Sequence, residues 1–406
     1  MKFSKATILA FIFIAISDAL MYISYDGFNQ TWSAFVVIPL RYLALILFVF
    51  RPLKKKWRNL IPRPILVVFF LLMFWNLVTI FRGFLFVTDY YDSKFIFDTS
   101  LLFLLIPLVF VNGVYLINIE KLFAFALKYL FRFGFVLIPL ALVTNIQLYS
   151  RVMIPISIFI VIIPFLKPKW RILILIVAVT SILMYTLFRT NIVRIVIALL
   201  LVLTYYFRFL INIKLLKTLY VLLFITPMVF LFLALTNQFN VFKFQELDDK
   251  YNTVDNIGQE RNYLDDNRTF LYAEVLSSLE RKGNLILGEG AVGKYKSNYF
   301  DFGDRRGRYM SEIGFLNTLL FSGIIGFLII FLFLFIVSYY ALYKSNNWLS
   351  KMFGLFIACR WIIFFVEEFT LFDLNFFFYW ILLGLISTNK FRSMKDSEVK
   401  MFFMNI

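Results

Sequence analysis

Apolar runs of about 20 residues, the length a helix needs to cross a bilayer, recur along most of this chain between short charged breaks. Twelve runs separate: residues 6–24, 32–50, 64–81, 99–117, 122–143, 152–166, 171–187, 190–207, 215–236, 312–336, 349–366 and 369–388. Runs of this length read as helices, since strands are far shorter. The fifth is interrupted by Lys128, Arg132 and Gly134, and the short sixth holds Pro155 and Pro164. The pattern predicts an all-α polytopic transmembrane helix bundle of about 12 spans. Residues 237–311 are the one long polar stretch. The chain thus divides into helices one to nine over 1–236, a loop over 237–311, helices ten to twelve over 312–390 and a tail over 391–406.

Composition strengthens the membrane reading. Of 406 residues 62% are hydrophobic and 16% charged, and the mean hydropathy is +0.84; a soluble domain of this length has no interior large enough for that much apolar surface. The segment Met1–Ser24 carries Lys2 and Lys5 and then an apolar run, as a signal peptide does. The run is long and lacks a small-x-small cleavage site, so an uncleaved first helix is expected.

The charges between the runs alternate. With the N-terminus inside, the cytoplasmic segments hold twenty-one Lys and Arg, six of them in "RPLKKKWRNLIPR", and the short external loops hold five. That asymmetry is what orients short loops, and it places both termini in the cytoplasm and residues 237–311 outside. The net charge of +17 is then mostly a topology signal, with no need for nucleic acid.

Two absences bound the chemistry. There is no histidine, the commonest general base and metal ligand. Cys359 is the single cysteine, which precludes a disulfide within the chain. The 54 phenylalanines, beside abundant Ile, Lys, Asn and Tyr, fit a codon bias better than an aromatic binding surface.

"LILGEGAVGKYKSN", residues 285–298, sets Gly288, Gly290 and Gly293 in the spacing G-x-G-x-x-G. A dinucleotide site also needs a preceding strand, a helix opening at the third glycine and a following acidic residue. "NLIL" is a meagre strand, and "KYKSNYFDFGDRRG" does not read as a helix. The glycines instead fit a tight turn, whose N–H groups are able to face an anion. Before it, "DDNRTFLYAEVLSSLERKG" reads as an amphipathic helix with Asp266 or Asn267 as N-cap and Gly283 as stop. Its apolar face of Phe270, Leu271, Val275, Leu276 and Leu279 suits packing on the bundle, lying on the membrane surface, or both.

An Arg opening that helix, then "LILGEG", a polar run and "SEIGFLNTLLFSGIIGFLIIFLFLF" together resemble the O-antigen polymerase and ligase superfamily. "LFRTNIVRIVIALL" is similar to that family's other arginine-bearing segment, and the likeness covers roughly residues 185–335. The resemblance implies a metal-independent membrane glycosyltransferase without a cofactor, acting on undecaprenyl-pyrophosphate-linked oligosaccharide at the outer face of the bacterial inner membrane. It also implies contact with membrane lipids and with a chain-length regulator protein. In the ligase branch a His lies eleven residues before the first Gly of the final G-x-x-G. Counting back from Gly323 reaches Glu312. The departure favours a polymerase of O-antigen or other surface polysaccharide over a ligase.

Such transfer needs a stabilised leaving pyrophosphate and a base for the attacking hydroxyl. Arginine suits the first task because its planar fork grips phosphate bidentately and stays charged. Arg189, Arg194 and Arg268 are expected at the outer face; Arg41 and Arg360 fall inside predicted spans. An intramembrane arginine needs a partner or a wet cavity, here either substrate or an internal bridge to Asp18, Glu367 or Asp373. Arg305, Arg306 and Arg308 suit a solvated loop or a lipid headgroup. Glu312 is the first choice of base, on the expectation that partial burial at the outer interface raises its proton affinity. Its alternative role is to complement a helix dipole. Glu289 and Asp301 are weaker candidates, and Gly288 and Gly290 are added as backbone donors to the anion. A ligase, a lipid-linked oligosaccharide flippase or another transporter remain alternatives; no repeat relates the two halves as transporters often show.

Overall fold

A computed structural model of the chain describes residues 3–23, 30–49, 57–143, 146–184, 189–235, 252–254, 260–262, 269–297, 307–366 and 371–405. The helices are α1 (Phe3–Ile23), α2 (Gln30–Val49), α3 (Arg63–Leu85), α4 (Tyr90–Gly113), α5 (Leu116–Val143) and α6 (Leu148–Phe165). They continue as α7 (Pro168–Met184), α8 (Arg189–Tyr206), α9 (Ile213–Leu235), α10 (Thr269–Arg281), α11 (Gly314–Tyr343), α12 (Trp348–Val366) and α13 (Leu374–Ser387). Two short helices, α14 (Asn389–Ser393) and α15 (Asp396–Met404), end the chain. A three-residue antiparallel pairing of Asn252–Val254 with Glu260–Asn262 is the strand structure among the described residues.

Each of the twelve apolar intervals contains a helix among its described residues. Six segments among the described residues, α3, α4, α5, α6, α11 and α12, are long and apolar enough to cross a membrane, and Phe35–Phe48, Thr190–Tyr206 and α13 are shorter apolar helices. The molecule is a multi-pass helical membrane protein. Boundaries moved where polar residues join a helix that hydropathy alone omits. α4 begins at Tyr90 because Asp89 accepts the Asp92 N–H at 2.8 Å and caps it. α11 starts two residues later than expected and runs on through "VSYYALY" to Tyr343.

α13 is the axis of the bundle: every residue from Leu374 to Ser387 is buried. α1 packs on α2, and α11 on α12 and α3. Around α13 the phenylalanines fill the core ring against ring. Phe11 meets Phe378 at 5.6 Å, Phe48 stacks on Phe377 at 5.0 Å, and Phe123 meets Phe159 at 4.8 Å. The phenylalanines at the core are thus packing material. The tail beyond residue 390 is docked, not loose. Asn347 Nδ2 donates to Phe391 O at 2.8 Å, Arg392 Nη1 to Lys344 O at 3.0 Å, and Val399 and Phe403 are fully buried. Within α10 the face of Leu271, Val275 and Leu279 is buried, and Tyr272 stacks on Phe315 and donates to Phe365 O. That fixes α10 against the start of α11 and the end of α12, so its packing role is real.

Candidate functional site

Where α1, α2, α12 and the start of α13 meet, charged side chains converge inside apolar surroundings. Arg41 of α2 is 5% exposed and pairs with Asp18 of α1 at 3.0 Å, while its Nε donates to Ser17 Oγ at 3.4 Å. Arg41 thus makes the bridge to Asp18 that is one of its two expected readings. A second oxygen of Asp18 accepts the N–H of Leu374 at 2.8 Å, and Asp373 Oδ1 accepts that of Phe376 at 2.8 Å. The two carboxylates thereby hold the amino-terminal turn of α13, whose leading N–H groups have no partner within the helix.

Asp373 lies within electrostatic reach of Arg41, Arg151 and Arg360. Arg360, on α12, is 2% exposed, and its guanidinium lies 4.2 Å from the ring centroid of Tyr379 and 5.5 Å from that of Phe376. A flat delocalised cation suits that stacking as lysine does not. Arg194 of α8 interacts electrostatically with Arg360, is buried, and is oriented by Asn191 Oδ1 at 2.7 Å. Arg41, Arg360 and the half-buried Arg151 are thus linked through Asp373, and Arg194 through Arg360, in a region that also holds Asp18. Two cavities touch it. One of about 70 Å³ is bounded by Arg360, Tyr379, Asn76, Thr318 and Ser322 among mostly apolar neighbours. The other, of about 200 Å³, reaches Arg41 past Asp98, Thr99 and Phe372.

The glycine stretch does something different from what its spacing suggests. It is a chain of turns after α10, with Gly288 at φ 74° and Gly290 at φ 77°, and no strand precedes it. Its N–H groups are taken by protein carbonyls: Gly288 donates to Asn284 O at 2.7 Å, Glu289 to Leu320 O at 2.7 Å, Gly290 to Phe321 O at 3.0 Å and Ala291 to Thr79 O at 3.1 Å. Gly288 and Gly290 therefore do not turn their N–H groups to an anion. They are glycines because backbone comes too close: a Cβ on Gly288 would run into Phe321 O, and one on Gly290 would lie 2.6 Å from Gly83 N.

Glu312 is exposed and precedes the helix, with Ile313 as N-cap of α11, so the expected partial burial is absent. The turn it sits in is stapled by Asn317, which accepts from Ser311 N at 2.7 Å and donates to Ser311 O at 2.9 Å. Glu312 shares its surroundings with Arg308 and Glu274 around the fully buried Tyr295. Burial pushes the Tyr295 phenol up to about 12, with the Arg308 guanidinium opposing. Glu289 is 9% exposed and holds the loop, pairing with Lys282 at 2.8 Å and accepting Lys294 N at 3.2 Å. Lys294 also pairs with Asp92, which accepts from Tyr309 at 2.8 Å.

Arg189 opens α8. Arg268, Asp301, Arg305, Arg306 and Glu367 lie outside the described residues. Of the named arginines, Arg41, Arg194 and Arg360 are brought together. Arg151 of α6, one of the five basic residues that the charge count assigns to the short external loops, joins them through Asp373. Asn76, Thr318, Ser322 and Tyr379 carry no sequence signal that separates them from other polar residues within apolar runs. Among the described residues no group of three or more His, Cys, Asp or Glu is placed to hold a metal ion. Compared with protein-family profiles, curated proteins and solved structures, the chain matches none.

Proposed function

We propose that this protein is a polysaccharide polymerase of the bacterial inner membrane. It moves a growing glycan from undecaprenyl pyrophosphate onto a lipid-linked repeat unit at the outer face. The observation that carries the reading is the set of buried Arg41, Arg194 and Arg360, with the half-buried Arg151, linked through Asp373 and Arg360 in an apolar bundle. Guanidiniums in a low-dielectric site favour a multiply charged phosphate ester, and pre-orientation by Asp18, Asn191 and Tyr379 lets them meet it without reorganising. The loop charges and the resemblance of residues 185–335 support the rest: twelve spans, both termini inside, and the 237–311 loop outside.

The acceptor hydroxyl oxygen bonds to the anomeric carbon of the donor glycan. The bond from that carbon to the phosphate oxygen breaks, and its electron pair leaves on undecaprenyl pyrophosphate. The arginines stabilise that charge. The hydroxyl proton passes to a carboxylate, and Glu312, which stands where the family's ligase branch has a His, is the candidate. A chain-length regulator protein is the expected partner.

One observation favours a second reading. α11 is broken at Gly323 (φ 64°, ψ −170°), and transporters build substrate sites at discontinuous helices; a lipid-linked oligosaccharide flippase is the alternative. The two separate in purified vesicles supplied with lipid-linked repeats. A polymerase yields a ladder of glycan lengths. A flippase moves repeats across the bilayer and leaves them single.

A further inference from the structure

The break in α11 and the glycine loop complete one another. At Gly323 the backbone leaves helical geometry, which removes helical partners from neighbouring N–H and C=O groups. Unsatisfied groups at membrane depth are tolerated only where protein replaces the lost bonds. The loop replaces them from both sides of the break. Leu320 O and Phe321 O accept from Glu289 and Gly290, while Ile324 N donates to Leu285 O at 3.0 Å and Ile325 N to Ile286 O at 3.3 Å. A Cβ on Gly323 would strike Ile286 O and Gly288 N. Arg82 of α3 holds the far side, donating to Leu287 O and, at 2.8 Å, to Gly288 O.

The broken turn faces the Arg360 cavity. Thr318 and Ser322, one turn apart before the break, are 8% and 4% exposed and line the cavity with Arg360 and Asn76. Thr318 donates to Gly314 O at 3.1 Å. Ser322 Oγ accepts from Thr79 Oγ1 at 3.3 Å and its carbonyl from Trp75 Nε1 at 2.9 Å, so Ser322 Oγ keeps its own hydrogen for another acceptor.

We infer that the loop from Asn284 to Ala291 splints α11 across its break, and that the splinted turn presents Ser322, beside Arg360, to the pyrophosphate of the lipid-linked substrate. This rests on the lipid-pyrophosphate part of the proposed function. Ser322 is the binding residue, and Gly323, Gly288 and Arg82 are positioning residues.

Two measurements on the full chain in nanodiscs test it. The first is hydrogen exchange of wild type, Gly323→Ala and the milder Arg82→Met. In wild type the amides of Glu289, Gly290, Ile324 and Ile325 exchange slowly. In either folded variant residues 284–291 and 320–325 speed up together, as one cooperative unit does. Acceleration of the loop alone, with 320–325 unchanged, overturns the splint.

The second is affinity for undecaprenyl pyrophosphate by native mass spectrometry. Ser322→Ala weakens binding roughly tenfold, the scale of one hydrogen bond to a charged group, while Thr318→Val, whose hydroxyl is already spent on Gly314 O, leaves it unchanged. Arg82→Met weakens binding with the Ser322 hydroxyl intact. Unchanged affinity in Ser322→Ala refutes the assignment, as does a wild type that does not bind the lipid. A wild type that binds as described but forms no glycan ladder removes the polymerase and leaves this inference standing.

Discussion

The arginine group and the glycine loop lie at the same end of the bundle and treat their polar atoms in opposite ways. Sequence marks both as places for an anion. In the loop, backbone donors meet backbone acceptors within the chain, and close approach leaves no room for a ligand between Gly288 and Phe321 or between Gly290 and Gly83. In the arginine group, charged side chains from α2, α8 and α12 are gathered beside cavities that a ligand is able to enter. Spacing alone identifies neither. What separates them is where each N–H group donates, because a donor already used inside the fold has little to offer a substrate.

The largest effect expected on stability comes from breaking the buried pair. Arg41→Ala leaves Asp18 buried without its counter-ion and costs about 3–5 kcal/mol, whereas Arg41→Met with Asp18→Asn, which removes the charge and keeps an acceptor for the Leu374 N–H, recovers most of it. Reversible unfolding in mixed detergent checks this, and equal losses in the single and double variants contradict it. Next is the loop. Gly288→Ala costs about 3 kcal/mol, from left-handed strain and forced overlap together. Gly283→Ala, also at positive φ but with nothing within 4 Å of an added Cβ, costs only about 1–2 kcal/mol. Equal losses at both positions would mean that the loop is not seated on α11.

The smallest effect concerns Tyr295. Its folded pKa, pushed up to about 12 by burial, lies above the ordinary 10. The neutral phenol therefore contributes stability that is fully present below pH 10 and lost as pH rises towards 12. Subtracting a Tyr295→Phe unfolding curve from that of wild type isolates this loss. A difference that stays flat from pH 9 to about 12 removes the claim.

Much of the fold was legible because hydropathy and helix length are coupled in a bilayer. Each of the twelve apolar runs contains a helix among its described residues. Helix ends were less so: Asp89 caps α4 well before the apolar run begins. Within the site, Arg41 and Arg360 stood out because a charge in an apolar run demands an explanation, and Asp18 and Asp373 were named as partners for the same reason. Arg151 was hidden because it stands just before the sixth apolar run, where hydropathy predicts a short loop and a basic residue is ordinary, although the helix already includes it. The role of Gly288 and Gly290 was not legible, since their neighbours Phe321 and Gly83 are far away in sequence. The expected burial of Glu312 failed because α11 starts at Gly314 and leaves that carboxylate in the preceding turn.

The central claim is that the arginine group holds the leaving pyrophosphate of a polymerisation reaction. Purified protein supplied with lipid-pyrophosphate-linked repeat units tests it most directly, with Arg360→Lys and Glu312→Gln beside wild type and each shown to be folded. Wild type is expected to give a ladder of glycan lengths. Arg360→Lys, which keeps the charge and loses the planar stack on Tyr379, is expected to lower the rate at least about tenfold. Glu312→Gln is expected to lower kcat with KM unchanged. A ladder of equal rate from folded wild type and Arg360→Lys would contradict the assignment of the arginine group. Single repeats from a folded wild type would contradict the polymerase itself.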